Sequence, residues 1–176
     1  MAGDKRPARL LVLRHGKSDW PAGVADRDRP LGRRGIRDSG AAGRWLAGAD
    51  DVPDVVWCST ALRTRQTWEH LRAELPDGGS GCDVRFEKDV YAASVEALLD
   101  VVRRTSSKAR RVLLVGHNPG VQDLTLLLAA RGSDDARALA ETKFPTSGLA
   151  VFDVTGAWEA LGPGGATLTD FVVPRG

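Results

Sequence analysis

The sequence predicts an α/β fold, a three-layer sandwich in which helices cover both faces of a mostly parallel central sheet. Three observations predict it. Short apolar runs rich in Val and Leu alternate with segments of helical periodicity, in the order β-α-β-α-β-α-β-α. Two further strand-like runs then close the chain, and alternation of this kind builds a parallel sheet wrapped by helices. The length of 176 residues suits one α/β domain, long enough to bury roughly two thirds of its unfolded surface. Residues 1–176 therefore read as a single domain with residues 1–8 as a flexible lead-in.

The strands follow from β-branched and aliphatic runs bounded by turn residues. They are expected at Arg9–Leu13, Val55–Trp57, Val84–Phe86, Val112–Val115, Leu149–Val154 and Thr167–Val173. Two helices follow from spacing: Val95, Leu98, Leu99 and Val102 recur at i, i+3, i+4 and i+7, as do Val121, Leu124, Thr125 and Leu128. Ser94 supplies an N-cap to the first of these, without a full capping box because position 97 is alanine. Composition places two more helices near Gly35–Leu46 and Ala61–Leu75. Glycine and proline mark loops at Pro21–Pro30, Pro76–Gly81 and Pro163–Gly165. Trp45, Trp57 and Trp68 fall inside these elements and are expected in the core.

Composition excludes several classes. Apolar residues make up 42% of the chain and charged residues 27%, as in an ordinary globular protein. The longest clean apolar runs, Leu10–Leu13 and Leu126–Ala130, fall far short of the roughly 20 residues that cross a bilayer. The 25 basic and 23 acidic residues are interspersed, so the net charge of +2 marks neither a nucleic-acid binder nor a membrane-surface binder. Cys58 and Cys82 form no CxxC motif and no disulfide framework, which fits a reducing cytoplasmic setting. The start of the chain reads as mature protein, because the run after Lys5, Arg6 and Arg9 is too short for a secretory signal. No cluster of metal ligands stands out, and no cofactor is expected.

Ligands of open α/β sheets bind at the carboxyl ends of the strands. The first strand runs into Leu13-Arg14-His15-Gly16, the second through Cys58-Ser59-Thr60 to Arg63, and the fourth into Gly116-His117-Asn118-Pro119. Two of the three histidines and two arginines thus converge on one rim from distant parts of the chain. A phosphoryl group carries its charge on non-bridging oxygens, and its transfer is accelerated mainly by positioning it and neutralising that charge. Arginine does so with a planar fork that grips two oxygens together. Arg14 and Arg63 offer two forks, His15 a nitrogen nucleophile, and His117 a donor to the phosphoryl oxygens. Lys17 and Ser18 follow closely enough to touch phosphate, although a loop lysine is also simply common. Gly32-Arg33-Arg34-Gly35 lacks the preceding strand and the Lys-Ser/Thr ending of a nucleotide loop, and His70 reads as an ordinary helix residue.

These motifs resemble the histidine phosphatase superfamily, also called the phosphoglycerate-mutase-like fold. The likeness covers Arg14-His15-Gly16, the stretch from Ser59 to Thr67, and Gly116-His117-Asn118-Pro119. Within that superfamily the chain is most similar to the short SixA-type phosphohistidine phosphatases. The supporting residues are Lys17-Ser18-Asp19-Trp20, Asp28-Arg29-Pro30-Leu31 with Arg34-Gly35, Tyr91-Ala92-Ala93-Ser94, and Phe144-Pro145-Thr146-Ser147-Gly148. The resemblance spans Leu10 to Phe152 and implies a metal-independent phosphatase. It further implies that His15 is transiently phosphorylated, that Arg14 and Arg63 grip the phosphoryl group, and that His117 completes the pocket. The implied partner is a protein bearing phosphohistidine.

Lys17 and Trp20 stand where mutases of the superfamily carry an acidic residue and an asparagine, so the resemblance does not extend to mutase activity. Larger relatives also carry a glutamate general acid in an inserted segment, and no equivalent can be placed here. Glu87 and Asp89 are the nearest candidates, with a solvated loop carboxylate the simpler reading of each. Two alternatives stay open: a phosphatase of small phosphate esters, and a module that recognises phosphate without turnover. An intact His15 weighs against the second, because a binder has no use for a nucleophile.

Overall fold

The computed structural model describes residues 6–132 and 134–176. Seven strands form one sheet: β1 (Ala8–Arg14), β2 (Val55–Ser59), β3 (Asp83–Glu87), β4 (Arg111–Gly116), β5 (Ala129–Gly132), β6 (Leu149–Val154) and β7 (Ala166–Val172). Their spatial order is β3-β2-β4-β1-β6-β7-β5. The pairs β3-β2, β2-β4, β4-β1 and β7-β5 are parallel, while both pairs made by β6 are antiparallel. The sheet is therefore mostly parallel as expected, with β6 the single reversed strand among those described.

Alternation along the central strands creates the layers. Leu10 and Val12 of β1, Val112 and Leu114 of β4, and Ala150 and Phe152 of β6 face one apolar cluster, which the helices α3 (Val95–Arg103), α4 (Gly120–Leu128) and α5 (Asp134–Thr142) close. Leu11 and Leu13, Leu113 and Val115, and Leu149 and Val151 face the other, closed by α1 (Arg33–Gly48) and α2 (Leu62–Arg72). Strands buried on both faces must be apolar at every position, which is why these runs were legible. Each fully buried aliphatic side chain contributes on the order of 2 kcal/mol.

The spacing-based helices hold: Leu98, Leu99 and Val102 of α3, and Val121, Leu124 and Leu128 of α4, are buried. Ser94 caps α3 by accepting a hydrogen bond from the Ala97 amide at 3.3 Å. Trp57 and Trp68 lie in the core, and Trp45 is half-buried against it. His70 is a half-buried residue of α2. Two elements went unforeseen, the short strand β5 and the helix α5 after it. Of the expected flexible lead-in, residues 1–5 lie outside those described, whereas Ala8 is buried and opens β1. At the end of the sheet away from the histidines, Arg9 pairs with the buried Asp51 at 2.6 Å and with Asp153 at 3.0 Å, tying β1 to its neighbours. Among the described residues no helix is long and apolar enough to cross a membrane.

Candidate active site

Because β1, β2 and β4 are parallel neighbours, their carboxyl ends open on one rim. His15 follows β1 directly, Arg63 stands in the first turn of α2 just after β2, and His117 follows β4. All three, with Arg14, line a pocket of about 450 Å³. Lys17 and Ser18 line it too, the first exposed and the second buried.

The backbone around His15 is held from both sides. The Gly16 amide donates to Thr67 Oγ1 of α2 at 3.0 Å, and the Ser147 amide reaches the carbonyls of Arg14 and His15, each at 3.1 Å. Room here is scarce: a Cβ on Gly16 would sit 2.7 Å from the Gly35 carbonyl oxygen, and one on Gly35 would sit 2.1 Å from the Lys17 carbonyl oxygen. The turn after β1 therefore lies directly against the first turn of α1, backbone to backbone.

A hydrogen bond fixes the ring state of His15. Nδ1 of His15 lies 2.7 Å from the Gly16 carbonyl oxygen, which can only accept, so Nδ1 carries the proton and Nε2 presents a lone pair. Arg63 Nε donates to that nitrogen at 3.3 Å. Burial lowers the His15 pKa to about 3; the Gly16 hydrogen bond opposes this, and the charges of His117, Arg63 and Arg14 add to it. His117 stands with its ring centroid 5.2 Å from that of His15, and its Nε2 lies 2.8 Å from Ser59 Oγ. Its pKa is lowered to about 4, chiefly by burial and then by Arg63. Among the described residues, two buried nitrogens near this pair lack a protein partner, Arg14 Nε and His117 Nδ1. The Arg14 guanidinium is anchored at its other end, where Nη1 donates to the Phe144 carbonyl at 2.8 Å.

Comparison with known proteins agrees with this geometry. The model of the histidine phosphatase superfamily (branch 1) matches residues 10–90. An uncharacterised protein of Mycobacterium tuberculosis is 42% identical over 166 residues, covering 93% of this chain and all of the relative. The structure of a protein assigned as the phosphohistidine phosphatase SixA of Nakamurella multipartitia superposes with a TM-score of 0.83 at 34% identity, over 96% of this chain and 98% of that one. The chain belongs to the histidine phosphatase superfamily. A protein of Agrobacterium tumefaciens with the same assignment gives a TM-score of 0.79 at 31% identity, over 96% and 99% of the two chains. This histidine phosphatase has the phosphoglycerate-mutase-like fold and is a phosphohydrolase.

The pocket of this histidine phosphatase also holds side chains to which the sequence assigned no role. Asp26, Arg29 and Tyr91 form one hydrogen-bonded group at its mouth, joined by Trp20, Asn118 and Thr146. Trp20 is 71% exposed and lies with its ring 3.7 Å from the Arg29 guanidinium carbon. Nothing in the spacing of Trp20 along the chain announces the stack. Glu87 and Asp89, the candidate general acids, do not line the pocket. Glu87 accepts from the Asp89 amide at 3.2 Å and pairs with Arg104 at 2.9 Å, so it caps a turn and binds a surface arginine. Among the described residues no cluster of His, Cys, Asp and Glu is arranged to hold a metal ion.

Depressed histidine pKa values predict a spectroscopic result. In the histidine phosphatase without ligand, both imidazoles should remain neutral from pH 8 to pH 5, with His15 in the Nδ1–H form, when followed by nitrogen-15 NMR. A midpoint near 6.5 for either ring would contradict burial as the controlling influence. The linked effect on stability has a definite sign. Below about pH 6.5 the unfolded chain binds protons that the folded one refuses until about 4 and 3, so stability should fall as pH drops through that window. The slope is about 1.4 kcal/mol per pH unit for each histidine.

Proposed function

We propose that this protein is a SixA-type phosphohistidine phosphatase, acting in the cytoplasm on a phosphohistidine carried by a partner protein. The observation that carries the proposal is the unprotonated Nε2 of His15, set beside three groups able to bind phosphoryl oxygens: Arg14, Arg63 and His117. Arg14 Nε and His117 Nδ1 are buried nitrogens without protein partners, and with His117 in its Nδ1–H form a phosphoryl group between them supplies acceptors to both. Lys17 and Ser18 add a cation and a hydroxyl at the pocket wall.

In the first step the lone pair on His15 Nε2 attacks phosphorus, a new N–P bond forms, and the N–P bond to the substrate imidazole breaks. The departing ring takes its proton from solvent. Charge on the non-bridging oxygens is held by the two guanidinium groups and by His117. Throughout, the Gly16 carbonyl keeps the proton on Nδ1 and so keeps the ring in place. In the second step water attacks the phosphorus on Nε2, phosphate leaves, and the lone pair returns to His15. The low pKa of His15 favours the attacking form at neutral pH.

The direct test is to trap the intermediate. A protein substrate carrying radiolabelled phosphohistidine is mixed with enzyme, quenched in alkali and digested. The label should appear on the peptide containing His15 and be lost in acid. A trapped label on any other residue would overturn the assignment.

A further inference from the structure

Three donors converge on one loop carboxylate that faces this pocket, and a fourth reaches the backbone carbonyl of the same residue. Asp26 opens a short 3-10 turn, Asp26–Asp28, in the loop between Pro21 and Pro30. Its Oδ2 accepts from Tyr91 Oη at 2.8 Å and from Arg63 Nη2 at 3.1 Å, and its Oδ1 accepts from Arg29 Nη1 at 3.1 Å. Its backbone carbonyl accepts from Arg63 Nη1 at 2.6 Å. Tyr91, thus tethered, lies edge-on to His117 with ring centroids 5.6 Å apart. Arg29 uses its remaining amino nitrogen on Ser18 Oγ at 2.8 Å.

Such an arrangement poses a physical question. A carboxylate beside an anion site repels the anion it is meant to receive, and this one is ionised, its pKa held down at about 2 chiefly by the Tyr91 hydroxyl and then by Arg29 and Arg63. Coulomb's law alone would make Asp26 a liability. Geometry gives the compensating gain. A guanidinium has five N–H groups arranged as an end fork and side-facing donors. Asp26 occupies one N–H on each amino nitrogen of Arg63, with its carbonyl and its carboxylate, which leaves Nε–H directed at His15 Nε2.

We propose that Asp26 is the positioning residue of this site: by holding the outer end of Arg63 it commits the inner donors of that arginine to the phosphoryl group, and through Tyr91 and Arg29 it sets the mouth of the pocket. The proposal deepens the phosphatase reading and rests on the part of it that assigns Arg63 to the phosphoryl group. Asp26 is itself 46% exposed, so it contributes little to the core and can be replaced without unfolding the chain.

The sign of one binding constant decides the matter. Inorganic phosphate is titrated into wild-type protein, Asp26→Ala and Asp26→Asn by calorimetry, with thermal unfolding as a control and kcat/KM measured alongside. If positioning dominates, Asp26→Ala weakens phosphate about tenfold and lowers kcat/KM at least as much, in a variant that thermal unfolding shows still folded at the assay temperature. Asp26→Asn, which keeps the outline and one acceptor oxygen, recovers part of both losses. Should phosphate bind equally well or more tightly in the alanine variant, repulsion outweighs positioning and the proposal falls while the phosphatase reading stands. Should wild-type protein bind no phosphate at all, the assignment of Arg63 fails and takes the role of Asp26 with it.

Discussion

Replacing His15 by alanine should lower turnover by at least about a thousandfold and leave the fold and the phosphate pocket in place. In the proposed mechanism binding and chemistry separate cleanly, because different residues supply them. Arg14 is anchored by the Phe144 carbonyl and Arg63 by two hydrogen bonds to Asp26, so each keeps an anchor when the imidazole, to which Arg63 Nε donates, is removed. His15 belongs to neither apolar cluster, and its removal opens space at the pocket wall instead of in the core. The variant should bind inorganic phosphate within a few-fold of wild type and unfold at a similar temperature at pH 7. It should also lose part of the acid destabilisation, because one of the two imidazoles that resist protonation is gone. Turnover within tenfold of wild type, in a variant verified by mass, would rule out His15 as the phosphate carrier.

The second large effect concerns the leaving group. Cleaving an alkyl phosphate expels an alkoxide, which needs a well-placed acid, whereas phosphohistidine expels an imidazole that solvent can protonate. The groups lining this pocket do not include a free acid of suitable strength. Asp26 is locked as a carboxylate by the Tyr91 hydroxyl and two arginines. Tyr91 is itself pushed towards a higher pKa by that carboxylate, and Glu87 is occupied elsewhere with Arg104. A phosphohistidine protein should therefore exceed a sugar phosphate in kcat/KM by about a hundredfold or more under the same conditions. An activated aryl phosphate, whose leaving group also needs little help, should fall between them. A preference for the sugar phosphate would replace the SixA-type reading with that of a small-ester phosphatase, and Tyr91 and Asp26 would be the residues to mutate first.

Much of this site could be read from the chain because of how a parallel sheet is built. β1, β2 and β4 are apolar at nearly every position, so their ends were visible as the points where Arg14, Ser59 and Gly116 interrupt the run. Knowing the ends was enough to bring Arg14, His15, Arg63 and His117 to one rim. What escaped notice lacked a local pattern. The run Leu126–Ala130 reads as continuing helix, and only pairing with β7 turns its last residues into the edge strand β5. Helix α5 buries small residues, Ala136 and Ala140, whose weak apolar signal left the segment unassigned. The reversal of β6 is a property of chain routing, and no residue pattern announces it. Asp26 carried no signal for another reason: in a run of four charged residues, Asp26 to Arg29, it looks like a solvated side chain, and its partners Tyr91 and Arg63 come from distant elements, while Arg29 stood out only through the resemblance. Glu87 and Asp89 were weighed as acids because they end β3 near the rim, yet closeness in topology did not put them in the pocket.

The contact between Gly16 and Gly35 changes how the Arg-His-Gly motif should be understood. In the proposed mechanism its first two letters address the substrate; its third addresses the first turn of α1, which passes too close for any side chain. The motif is thus one half of a mechanical joint whose other half lies nineteen positions downstream by residue number. A strand bearing Arg-His-Gly, transplanted into another sheet, would bring the histidine but not the surface that seats it. For anyone building such a site afresh, the smallest portable unit is β1 together with the opening turn of α1, and a glycine must be kept on each side of the seam.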